Sequence, residues 1–199
     1  MIVAVVSWLA VGLLLVTSTG LLLTRDWRWS LGLLAAQYLA MFWLVLQYWP
    51  FGMAAVKLVT GWMVSAAIGI TRLGLPETEE PAEAAWPQGR LFRLFAAGIV
   101  VLIAASATPG LSSLIANVSP PVLAGSLILM GMGLLHLGIT GQVLRVVLGL
   151  LTVLAGFETL YAALESSILV AALLAVVDLG LALAGAYLLT SAAPAEESA

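Results

Sequence analysis

The chain has no cysteine, which excludes disulfides, thiolate metal sites and cysteine nucleophiles. Its single histidine, His136, rules out a multi-histidine metal cage. Charged residues make up only 9% of the 199 positions against 63% hydrophobic, and mean hydropathy is +1.16. That leaves too few polar side chains to cover a water-facing exterior, so a soluble domain is excluded. A net charge of −3 with no basic patch argues against a nucleic-acid partner. No G-x-x-x-x-G-K phosphate loop occurs, and no Ser/His/Asp set has workable geometry at membrane depth. Neither a cofactor nor a metal is expected.

What is present is long apolar runs. A bilayer core about 30 Å thick needs roughly 20 apolar residues in a helix rising 1.5 Å per residue. Seven segments meet this: Ile2–Thr24, Trp27–Trp49, Phe51–Arg72, Leu91–Ala107, Pro121–Thr140, Val143–Leu164 and Ile168–Thr190. The expected fold is an all-α integral membrane protein with about seven transmembrane helices. The breaks fall at Arg25–Asp26, Trp49–Pro50, Pro109–Gly110, Ser119–Pro120–Pro121, Thr140–Gly141 and Ser166–Ser167, where proline, glycine and serine favour turns. Pro109 is expected to end the fourth span. The first run begins at Ile2 without a basic leader, so it reads as a retained span. The expected organisation is a three-span bundle over 1–73, a cytoplasmic acidic loop over 74–90 with Glu77, Glu79, Glu80 and Glu83, and a fourth span with its outer loop over 91–118. A three-span unit over 119–190 and a disordered tail over 191–199 complete it.

Arginine placement gives an orientation. With seven spans, Arg25, Arg28, Arg72, Arg90, Arg93 and Arg145 all fall on one side, which the positive-inside rule makes cytoplasmic. The N-terminus is then outside and the C-terminus inside, in a cell membrane of prokaryotic type. Trp8 and Trp49 fall near the outer interface, and Trp27, Trp29 and Trp86 near the inner one, where indoles prefer to lie. Asp26 is expected to pair with its neighbouring arginines.

Four polar residues fall deep inside spans: Gln37, Lys57, Glu158 and Asp178. Counted from the arginine-rich side, Lys57 lies about 22 Å deep, Glu158 about 20 Å, Asp178 about 18 Å and Gln37 about 15 Å. Four helices thus place strongly polar groups in one layer, where an ionisable side chain costs at least ~2.5–3.5 kcal/mol unless it faces protein or water. On the seventh span Ala171, Ala175, Asp178, Ala182 and Gly185 form a stripe of small residues, which lets another helix approach the carboxyl. On the sixth, Gly149, Thr152, Gly156 and Thr159 form one small face, with Glu158, Tyr161 and Glu165 nearly opposite. Both sides of that helix need cover.

Burial disfavours an ionised carboxyl while a nearby ammonium favours it, so a Glu/Lys pair can be switched by small changes in separation or hydration. These groups read as a proton relay through Glu158, Asp178 and Lys57. Gln37 would position water, and His136 and Tyr161 would be accessory. The bland reading is that the same groups only pin helices together.

The segments HLGITGQVLR, LGLLTVLAGFETLYAAL and LLAVVDLGLALAGAYLL resemble the three-helix K subunit of complex I, with Glu158 and Asp178 at the places of its two acids. That family normally has glutamate where Asp178 stands. Nearly the whole chain resembles component E of hydrogenase-4 and formate hydrogenlyase, through GLLAAQYL around Gln37, AAVKLV around Lys57 and the polar proline-containing loop. Here Thr159 follows the glutamate where that relative has Asn-Gly. The resemblance implies a non-catalytic membrane subunit of a complex-I-like assembly, with antiporter-like subunits among its partners and the lipid bilayer around it. Two other readings are a stand-alone ion or solute transporter, for which internal repeats are only vague, and a structural scaffold.

Overall fold

The computed structural model describes residues 2–75, 89–115 and 117–191, which form helices joined by short turns. Seven helices follow one another: α1 (Ile2–Leu23), α2 (Trp27–Val45), α3 (Phe51–Leu73), α4 (Arg90–Leu114), α5 (Pro120–Ile139), α6 (Val143–Leu164) and α7 (Ile168–Ser191). The chain is an all-α, multi-pass membrane protein. All the helices but α2 are long and apolar enough to cross a bilayer. The glutamates of the acidic loop, Trp86 and the tail beyond Ser191 lie outside the described residues.

Two helix starts follow directly from the sequence. Asp26 accepts a hydrogen bond from the Arg28 amide at 2.8 Å and so caps α2. Pro120 and Pro121 occupy the first turn of α5, where a missing N–H costs nothing. Asn117, in the preceding turn, adopts φ 81°, a conformation asparagine tolerates better than most residues.

Two boundaries differ from expectation. α2 ends at Val45 and Leu46–Trp49 form a turn, so the second span is shorter than the run of apolar residues suggested. α4 does not stop at Pro109 but runs through it to Leu114. A proline removes one backbone hydrogen bond without having to end a membrane helix, and hydroxyls of the same stretch bond nearby carbonyls: Thr108 donates to Ala104 O at 2.7 Å, Ser106 to Ile103 O and Ser112 to Pro109 O.

Helix contacts close a ring in the order α1, α2, α3, α7, α6, α5 and back to α1, with α2 also touching α6 across the middle. α4 stands outside this ring against α5 and α1. The tightest seam is α5 against α6. A Cβ on Gly156 would lie 2.7 Å from Met130 N, and one on Gly133 would lie 2.7 Å from Val153 N, so only glycine permits this approach. α7 packs more extensively on α3 than on its sequence neighbour α6. Large apolar side chains cover the outside, among them Leu9, Phe95, Leu102, Leu173 and Leu183, as a hydrocarbon solvent requires.

The arginines gather at one end of the bundle. Arg93 on α4 donates to Leu22 O at 3.2 Å and Arg145 on α6 donates to Thr24 O at 3.0 Å. Both satisfy carbonyls at the C-terminal end of α1, where cations are favoured. The opposite end is tied by aromatic residues of the α2–α3 turn: Tyr48 Oη accepts from Ser119 N at 2.7 Å, and Trp49 Nε1 donates to Glu165 O at 2.9 Å.

Candidate functional site

Many polar side chains within the helices serve only their own backbone. Ser7, Thr17, Ser18, Ser65, Thr152 and Thr159 each donate to the carbonyl four residues earlier. Glu158, Asp178 and Lys57 cannot do this, and the structure brings the three together.

Lys57 reaches them from α3, on a buried face it shares with Ala54, Gly61, Val64 and Ile68. Its Nζ donates a hydrogen bond to Glu158 Oε1 on α6 and lies 3.7 Å from Asp178 Oδ2 on α7. All three are buried, Asp178 completely. The stripe of small residues on α7 faces inward as its spacing suggested: Ala171, Ala175, Asp178, Ala182 and Gly185 are all buried. α6 is covered on both sides. Gly149 and Gly156 meet α5, while Glu158 turns to Lys57 and Thr152 turns to α2.

The cluster is therefore built by the half of the ring formed by α2, α3, α7 and α6. Two carboxyls and one ammonium share a volume closed to solvent. Fully ionised, they sum to one negative charge, which a low-dielectric interior strongly penalises. One additional proton neutralises the set. Glu158 Oε2 and both Asp178 oxygens have no hydrogen-bond partner, so acceptor capacity remains open.

Tyr38 on α2 is a member the sequence reading passed over. It is 1% exposed, and its hydroxyl faces the Asp178 carboxylate without a hydrogen bond of ordinary geometry. Gln37 beside it, also fully buried, makes one long contact of 3.5 Å from Nε2 to Thr152 Oγ1, and its Oε1 is unpartnered. One weak signal was available in the sequence, its place beside Gln37 in the polar layer; that Gly61, one turn from Lys57, seats its ring emerges only from the packing of α2 on α3.

The other candidates stand apart from the cluster. Tyr161 packs its ring against Trp49 and Phe157, with centroids 6.5 and 6.2 Å away, at the aromatic end of the bundle. His136 is buried at the arginine end, within electrostatic range of Arg145 and Arg93, and its Nε2 has no partner.

No protein-family model, curated protein or solved structure matches the chain. The geometry of the buried cluster is therefore what a functional reading has to rest on.

Proposed function

We propose that this chain is a non-catalytic membrane subunit of a complex-I-like, energy-converting oxidoreductase of the hydrogenase-4 type. In this reading it lies in a prokaryotic cell membrane beside antiporter-like subunits and passes protons, or Na⁺, through its buried carboxyls. Glu158 and Asp178 carry the exchangeable charge and Lys57 sets which of them is ionised. The observation that supports this is the Lys57–Glu158–Asp178 cluster itself: three ionisable groups from three helices, enclosed within the bundle and one positive charge short of neutrality. Buried ionisable groups inside membrane helices mark ion paths more often than they mark packing pins. The order of polar residues along the chain, with Gln37, Lys57, Glu158 and Asp178 on successive resembling segments, supports the same family.

The test is Glu158→Gln in the assembled complex, reconstituted in vesicles. Ion uptake driven by electron transfer is lost while subunit stoichiometry and electron transfer from donor to acceptor persist. Undiminished uptake in that variant overturns the relay reading and leaves the cluster as a packing device.

A further inference from the structure

Asp178 is the less well served of the two carboxyls. Lys57 is committed to Glu158, and at 3.7 Å its ammonium is an ion-pair partner of Asp178 but not a hydrogen-bond donor to it. Asp178 is fully buried and neither of its oxygens accepts a hydrogen bond, so bulk water does not complete its shell. The groups that face it are Lys57 from α3, Glu158 from α6 and Tyr38 from α2. Of these only Tyr38 brings a neutral O–H donor, and that donor is also without a partner.

The placement of Tyr38 is built into the fold. Its ring lies flat against Gly61 on α3, so that a Cβ at that position would overlap Tyr38 Cγ and Cδ1. Gly61 follows Lys57 by one turn, so the same helix that delivers the ammonium also seats the tyrosine ring. A phenol hydroxyl turns freely about its C–O bond, and rotation alone aims it at a facing carboxylate.

We propose that Tyr38 is the positioning residue for Asp178: its hydroxyl donates to the Asp178 carboxylate while Lys57 is engaged by Glu158, and so holds the second acid ionised and aimed into the cluster. When a proton reaches Asp178, the carboxyl no longer needs the donor and the hydroxyl is released. No covalent bond is made or broken beyond the O–H of the incoming proton. This role deepens the relay reading and rests on it for its consequence, although the Tyr38–Asp178 hydrogen bond can be tested without it.

The experiment uses the full chain in lipid nanodiscs for infrared spectroscopy and the assembled complex for ion uptake. The C–O stretching band of Tyr38 is located by its loss in Tyr38→Phe, a change that keeps the ring on Gly61. That band moves in Asp178→Asn and stays in place in Glu165→Gln. Gly61→Ala displaces the ring and moves the band as Asp178→Asn does. Ion uptake in the Tyr38→Phe complex falls by about tenfold, the factor for one hydrogen bond to a charged group. A band unmoved by Asp178→Asn overturns the proposal, as does full-rate uptake by Tyr38→Phe in a complex where Glu158→Gln abolishes it. Normal uptake by Glu158→Gln instead removes the relay reading alone, and the band shift then still decides whether Tyr38 serves Asp178.

Discussion

Lys57 donates to Glu158 while standing 3.7 Å from Asp178, so one ammonium is held unequally between two enclosed carboxyls. The three helices reach the cluster by different routes. α6 is locked to α5 through Gly133, Gly149 and Gly156, whereas α7 leans on α3. Glu158 therefore belongs to the most closely packed seam of the bundle, and Lys57 and Asp178 belong to two helices that pack on each other.

Removing the ammonium leaves two buried acids without a counter-charge. Lys57→Met is expected to lower stability by about 3–5 kcal/mol, the cost of breaking a buried pair from one side. Combining it with Glu158→Met recovers only part of that loss, because Asp178 stays buried without a counter-charge. A double-mutant cycle on Lys57 and Glu158, read from unfolding in detergent, gives a coupling near the upper end of about 0.5–3 kcal/mol. The cycle with Asp178→Asn gives a smaller one. Equal couplings would show that the ammonium is shared evenly.

Gly156 faces the backbone of α5, with Met130 N at 2.7 Å and Ser126 O at 2.8 Å from a Cβ placed there. Backbone atoms cannot step aside as a flexible side chain can. Gly156→Val is therefore expected to destabilise by about 1–3 kcal/mol as α5 and α6 are forced apart. Gly180→Ala, where nothing lies within 4 Å, serves as the matched control and is expected to leave the unfolding midpoint nearly unchanged. A neutral Gly156→Val would mean that the α5–α6 seam is looser than its geometry indicates.

Gln37 presents a different case, because it is buried but poorly paired. Its amide donates to Thr152 Oγ1 only at 3.5 Å, while the Thr152 hydroxyl donates to Leu148 O at 2.8 Å. Replacing Gln37 by leucine removes an unpartnered oxygen and sacrifices little bonding. The expected effect on stability is less than about 1 kcal/mol in either direction. A loss above about 2 kcal/mol, measured by the same unfolding, would show that the carboxamide oxygen has a partner such as an enclosed water.

Much of this arrangement was legible from residue order. Period and depth put Lys57, Glu158 and Asp178 in one layer, and the stripe from Ala171 to Gly185 told which way α7 faces. Those signals survive because membrane interiors tolerate so few polar side chains that each one is informative. Other features depend on which helices meet, and helical periodicity carries no such information. The pairing of α7 with α3 is set by side-chain shape across a long sequence separation. Tyr38 was hidden because tyrosine is unremarkable on an apolar helix until Gly61 is known to face it. Pro109 misled because a proline removes one hydrogen bond from a membrane helix without having to end it, and α4 continues through it.

The orientation of the bundle can be read directly, because the chain contains no cysteine and single-cysteine variants have no background. Gly74 and Gly141 lie at the arginine end, while Gln47 and Ser166 lie at the other, and all four positions are exposed. Cytoplasmic placement of the arginines makes Gly74→Cys and Gly141→Cys react with a membrane-impermeant maleimide only in inverted vesicles. Gln47→Cys and Ser166→Cys then react only in intact cells. The Gln47 variant bears on α2, which is the shortest helix at 19 residues and carries Arg28, Ser30 and Gln37. A segment this polar would cross only with help from its neighbours, and α1, α3 and α6 surround its buried face of Leu34, Gln37, Tyr38 and Met41. Labelling of Gln47→Cys on the same side as Gly74→Cys would mean that α2 does not cross, and would take Tyr38 and Gln37 out of the layer that holds Lys57.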